Sequence, residues 1–208
     1  MKTKSWFAVI TAALFTTTTI AQSKTSFGIR AGINFQNLNG KNSSGDKLDN
    51  KLKTGFNVGV NAEVPVGIDF YVQPGLLLST KGAKFDEVNG EVTRNLSYIE
   101  IPVNFLYKPE LGEGRMLLGF GPYAAFAVGG NTQLGNNKND IEFGSGVGES
   151  KRFDAGANLL AGYEFTSKLS FQLNAGLGLV NMYNRLDSDK KTTVKNTGFG
   201  VSVGYRFQ

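Results

Sequence analysis

Three features predict an all-β chain: an eight-stranded antiparallel up-and-down transmembrane β-barrel preceded by a signal peptide. They are a period-two alternation in eight runs of about ten residues, aromatic residues at both ends of the apolar faces, and connections that alternate short and long. The last run shows the alternation most clearly: Phe199, Val201, Val203, Tyr205 and Phe207 interleave with Gly200, Ser202, Gly204 and Arg206. Period two gives a strand opposite chemistry on its two faces. The apolar faces then look either inward at a soluble core or outward at lipid around a polar bore.

The N-terminus comes first in chain order. Lys2 and Lys4 precede an apolar stretch from Trp6 to Leu14, extended by Phe15 and Ile20 and diluted by Thr16 to Thr19; Ala21 offers a small residue for cleavage. This predicts a signal peptide over residues 1–21 and a barrel domain over 22–208.

The strands follow. Phe27, Ile29, Ala31, Ile33 and Phe35 face Gly28, Arg30, Gly32 and Asn34. Phe56, Val58, Val60, Ala62 and Val64 oppose Gly55, Asn57, Gly59, Asn61 and Glu63, and residues 65–68 are read as a tight turn. Phe70, Val72, Pro74, Leu76 and Leu78 alternate with Tyr71, Gln73, Gly75, Leu77 and Ser79; Pro74 predicts a bulge, because proline has no ladder donor. Ile99 to Tyr107 alternates with Glu100, Pro102, Asn104 and Leu106, and 108–115 is a short polar turn. Met116 to Val128, Phe153 to Phe165, Leu169 to Tyr183 and the closing run complete the set, with a turn at 166–168. The long connections are 36–53, 80–95, 129–152 and 184–196. Within 80–95, Asn89-Gly90 predicts a hairpin protruding beyond the membrane, and a second extension is expected to turn near Asp187 to Lys190.

This sorting decides between the two faces. Short turns at one end and long polar loops at the other are the outer-membrane plan. Phe27, Phe70, Phe105, Tyr107, Tyr163, Phe165, Phe171, Tyr205 and Phe207 fall at the short-turn end of the apolar faces. Phe35, Phe56, Phe126, Phe153, Tyr183 and Phe199 fall at the other. Two aromatic belts around an aliphatic band suit a bilayer. A lipocalin-like binder would instead turn these aromatics inward around a ligand.

Eight strands leave a bore that side chains fill. The inward set comprises Arg30, Asn57, Asn61, Glu63, Gln73, Glu100, Asn104, Asp154, Asn158, Glu164 and Arg206, with Asn34 and Asn174. Buried charges at this density should pair, with an arginine as the expected partner of Glu100. The rival use of the same residues is an ion or small-solute path. Inner-face glycines make room for the larger polar groups.

Composition excludes several chemistries. The 208 residues include no cysteine and no histidine, which removes disulfides, thiolate nucleophiles and the commonest general base. Loop carboxylates (Asp46, Asp49, Asp140, Glu142) are read as solvated. Residues 136–142 do not match a calcium loop, since Lys138 opposes a cation. No cofactor and no metal are expected, and the chain is read as non-enzymatic. The formal charge of +5 comes with no visible cluster of Lys and Arg, so no nucleic-acid partner is expected. Expected partners are outer-membrane lipid, the barrel-assembly machinery, and an extracellular or membrane protein met by the loop hairpins.

Lys81-Gly82-Ala83 after Leu76 to Ser79, then Tyr98-Ile99-Glu100-Ile101-Pro102, and a closing Gly204-Tyr205-Arg206-Phe207 resemble the PorT-like, porin-family outer-membrane β-barrel proteins of Gram-negative bacteria. The resemblance spans nearly the whole mature chain. It implies an outer-membrane barrel, and by analogy a role in secretion. It also implies that Phe207 is the aromatic signal read by the assembly machinery, although Gln208 follows it.

Overall fold

The computed structural model describes residues 24–88, 90–144, 146, 149–184 and 191–207. The expected signal peptide (residues 1–21), Asn89, the turn expected near 187–190 and Gln208 lie outside these residues. The strands are β1 (Ser26–Lys41), β2 (Lys53–Gly67), β3 (Phe70–Glu87), β4 (Gly90–Tyr107), β5 (Glu110–Leu111), β6 (Gly114–Leu134), β7 (Asn137–Asp140), β8 (Phe153–Glu164), β9 (Leu169–Gly178) and β10 (Thr193–Arg206). Neighbours pair antiparallel in the order β1-β2-β3-β4-β6-β8-β9-β10, and β10 pairs back onto β1 from Gly28↔Arg206 to Lys41↔Thr193. The ring of eight is closed. β5 and β7 are short strands that pair only with the ends of β6.

Closure satisfies the strand edges internally, which a backbone in hydrocarbon requires. The apolar faces point outward on every strand. Phe120 is 60% exposed, Leu177 52% and Val201 48%. A continuous belt of this kind has no place on a protein surrounded by water. The aromatic ends hold as well, with Phe70 stacked on Phe105 and Tyr107 (5.5 and 4.9 Å) at one rim and Phe35 against Phe199 (5.4 Å) at the other.

Four expectations need correction. The turn after β2 is Ile68 and Asp69, because β2 continues through a register shift between Pro65 and Gly67. Pro74 causes no bulge. Register is the same on either side of it, Asn61↔Gly75 and Val64↔Val72, and the missing donor appears as a gap in the ladder.

The long loops are also largely strand. β1 runs to Lys41, β3 to Glu87, β6 to Leu134, and β10 starts at Thr193. Their upper parts carry polar residues on both faces, since water meets the outer face there, so period two disappears from the sequence. Glu87 pairs with Gly90, so Gly90 is a strand residue (φ 126°) and not the centre of the turn.

Finally, β9 stops at Gly178 instead of reaching Tyr183. The chain then turns into the bore and buries Met182, while Tyr183 bridges to Ser150. The wall is therefore tall along β3, β4 and β6 and low along β8 and β9.

Candidate functional site

The site is the barrel interior, which is layered. At the short-turn end, Glu63 on β2, Lys108 just past β4, Glu164 ending β8 and Arg206 ending β10 converge. Lys108 Nζ lies 2.8 Å from Glu63 Oε2 and 3.0 Å from Glu164 Oε2. Arg206 donates from Nε to Glu164 (2.9 Å) and through its other nitrogens to Glu63 and Ser26. Each charge touches two of opposite sign. Gln73 donates to Glu63 (3.1 Å) and accepts from Asn104 (3.3 Å), which extends the layer upward. Leu106, Leu117 and Leu160 pack beside it with Tyr71.

Above this layer the bore is polar and incompletely filled. Arg30 donates to Asn174 (3.2 Å), Asn174 to Ser202 (2.9 Å), and Asn57 to Asn34. A cavity of about 70 Å³ lies among Arg30, Asn34, Asn57, Asn104 and Asn158. Oxygens of Asn57, Asn61, Asn104 and Gln172 are buried there without a protein donor. Buried polar groups of this kind are satisfied by water, and the space suits a few molecules.

The third layer centres on Lys81 of β3. Its Nζ lies 2.8 Å from Glu100 Oε2 and 3.3 Å from Asp154 Oδ2, and 4.1 Å from the centre of the Tyr123 ring. Asp154 Oδ2 also accepts from Tyr123 (3.1 Å) and Asn196 (2.8 Å). Gly156 sits opposite Tyr123 in the β6–β8 ladder; a Cβ there would clash with the Leu177 carbonyl oxygen and meet the Tyr123 ring at 2.7 Å, so the site takes only glycine and the ring lies over it. An apolar lid closes the top. Leu38, Ala83, Leu96, Tyr98, Ala125, Ala127 and Met182 are buried together, with Ile141 and Phe143 packed on them.

All eleven residues expected inside face inward. The neighbour of Glu100 is Lys81, however, and not an arginine. Lys81 and Lys108 fall where the sequence predicts a loop and a turn, yet both are buried on the inward face. Parity alone finds both: 73, 75, 77, 79 and 81 share a face, as do 98, 100, 102, 104, 106 and 108. With them, Arg30, Lys81, Lys108 and Arg206 equal Glu63, Glu100, Asp154 and Glu164 in number, and Lys53, buried on the same face at the start of β2, adds a fifth cation whose Nζ donates to Thr54 O (3.4 Å). Because Lys81 keeps Asp154 when Glu100 is lost, Glu100→Ala should cost about 1.5–3 kcal/mol. Lys81→Met, which strands two carboxylates, should cost more. Equal urea midpoints for the two variants would contradict the layer.

Among the described residues there is no group of three or more His, Cys, Asp or Glu able to hold a metal.

Comparison with known proteins concerns the barrel fold. Residues 20–184 match the family model described as "Outer membrane protein beta-barrel domain". No curated protein is significantly similar in sequence. Among solved structures, Neisserial surface protein A is similar over 89% of this chain and 100% of its own, with 12% identity and a TM-score of 0.52. A major outer membrane protein of Thermus thermophilus covers the same shares at 16% identity and a TM-score of 0.48. Ail, the attachment invasion locus protein of Yersinia pestis, does so at 15% and 0.45. At such identities the likeness concerns the fold.

Proposed function

We propose that this chain, which belongs to the outer membrane protein β-barrel domain family, is a non-catalytic, self-filled barrel that displays an extracellular β-extension to a protein partner. The observation that carries the reading is the layered interior. Two ionic layers and an apolar lid occupy the bore, so the stiff wall, and not a pore, is what the molecule offers.

The wall rises well past the bilayer. From Phe126 at the upper aromatic belt, β6 continues eight residues to Leu134, about 26 Å of strand. The β3–β4 hairpin ends in Val88, an apolar side chain in full contact with solvent. β7 leaves one edge unpaired by any described strand, which is a place where a partner strand can add.

Two measurements test this. The folded barrel in a planar bilayer should show no sustained conductance steps; stable steps would favour the small-solute channel instead. A photo-crosslinking residue in place of Val88 should give a discrete adduct in intact cells. A smear, or no adduct from any position of the hairpin, would contradict docking there.

The secretion role suggested by the PorT-like motif has less support. The inward residues of that motif, Tyr98 and Glu100, are engaged in packing and ion pairing inside the barrel. Phe207 is well placed as an assembly signal, being exposed on the outer face with its N–H bonded to Phe27 O (2.7 Å).

A further inference from the structure

The sequence shows no basic cluster, but the fold assembles one. Above Phe35 and Phe199, the outer face of β1 and β10 continues as Asn37 and Thr197, then Asn39 and Lys195, then Lys41 and Thr193. Lys47 is bridged directly opposite Lys41 on the other side, so the two ammonium groups share one face. Lys191 reaches over the same turn, its Cδ about a van der Waals contact from the Cβ position of Gly45.

We propose that Lys41, Lys47, Lys191 and Lys195 form a docking site for the phosphate groups of the phosphorylated glycolipid of the outer leaflet. Four observations converge on it. Like charges directly opposite on a sheet are unfavourable, and Lys41 opposite Lys47 is such a pair. None of the four lysines has an ion-pair partner among the described residues. The adjoining wall differs: there Lys51 meets Asp86 and Lys84 meets Glu91, each at 2.8 Å. Of the nearby acids among the described residues, Asp49 acts on Lys51, and Asp46 sits at the turn without pairing to any of the four.

Height is the third observation. Lys195 lies four residues above Phe199, about 13 Å along the strand and near 10 Å above the belt at ordinary barrel tilt. Lys41, six residues above Phe35, stands higher, about 20 Å along the strand, so the four lysines sit over the headgroups and their stems reach down toward them. The fourth is shape. Two adjoining surface hollows share Lys41 and Thr193; one adds Lys191 and Ser44, the other Lys47 and Lys195. Each combines ammonium groups with a hydroxyl, the donor set that a phosphate takes. The site is independent of whether a protein docks on the β3–β4 hairpin.

The test is native mass spectrometry of the mature barrel in neutral detergent, titrated with bisphosphorylated lipid A, enzymatically dephosphorylated lipid A, or inorganic phosphate. Bisphosphorylated lipid A should form adducts that weaken as salt is raised. The K41Q/K47Q/K191Q/K195Q variant should bind it at least tenfold more weakly, and Lys41→Gln alone several-fold. K51Q/K84Q, on the ion-paired wall, should bind as wild type does. Lys41, Lys47, Lys51 and Lys191 are exposed and Lys84 and Lys195 half-buried, and compact migration on unboiled gels verifies folding. Equal binding of dephosphorylated lipid A, an unaffected quadruple variant, or an equal loss in K51Q/K84Q would overturn the proposal. So would displacement of the lipid by equimolar inorganic phosphate, which would make a free anion the ligand.

Discussion

Lys108→Met should lower the stability of the folded barrel by about 3–5 kcal/mol. Lys108 Nζ is the one ammonium among the described residues that touches both Glu63 and Glu164, and its side chain is nearly inaccessible. Removing it leaves two carboxylates in low dielectric with Arg206 as their one cation in contact among the described residues, and an uncompensated buried charge is the costly outcome. At a urea dependence of about 1–3 kcal/mol per M, the midpoint in detergent should fall by more than about 1 M. Methionine keeps the length of the stem, so packing changes little and charge accounts for the difference. Adding Glu63→Gln should recover at least half of the loss, since Glu164 and Arg206 then remain as a matched pair. Identical midpoints for the single and double variants would show that these four groups do not act as a unit.

The legibility of this layer follows from where period two operates. Within the bilayer one face meets hydrocarbon and the other the bore, so alternation is enforced and Glu63, Glu164 and Arg206 can be placed from sequence. Strand parity also reaches Lys108, but its neighbours Pro109 to Gly114 read as a turn and mask it. Beyond the upper belt both faces are polar. The extensions of β1, β6 and β10 consequently left no periodic signal, and only the short-range turn chemistry near Asn89-Gly90 exposed the β3–β4 hairpin. The inward path of Met182 was not legible either, because it depends on β9 stopping low and leaving a gap that the chain fills from above. The lysine face is a product of closure. Residues 41 and 195 become neighbours only when β10 meets β1.

Asp154→Ala should be comparably severe, about 3–5 kcal/mol, for a different reason. Three donors converge on one oxygen, Oδ2, from Lys81, Tyr123 and Asn196, and the residue is fully buried. Its loss leaves Lys81 with Glu100 but strips the tyrosine hydroxyl and the asparagine amide of their acceptor, in a place that water reaches poorly. Asp154→Asn separates charge from geometry. The amide oxygen still accepts from Tyr123 and Asn196, so this variant should lose only about 1.5–3 kcal/mol. The effect should also spread upward. Asn196 contacts both Asp154 and the sulfur of Met182 (2.8 Å each), so it ties the ionic layer to the lid. Hydrogen exchange should accordingly speed up at the Met182 amide, which bonds Val194 O (2.9 Å), in Asp154→Ala and much less in Asp154→Asn. Unchanged exchange at Met182 in the alanine variant would mean that the lid is held by its own apolar contacts and owes nothing to the charges beneath it.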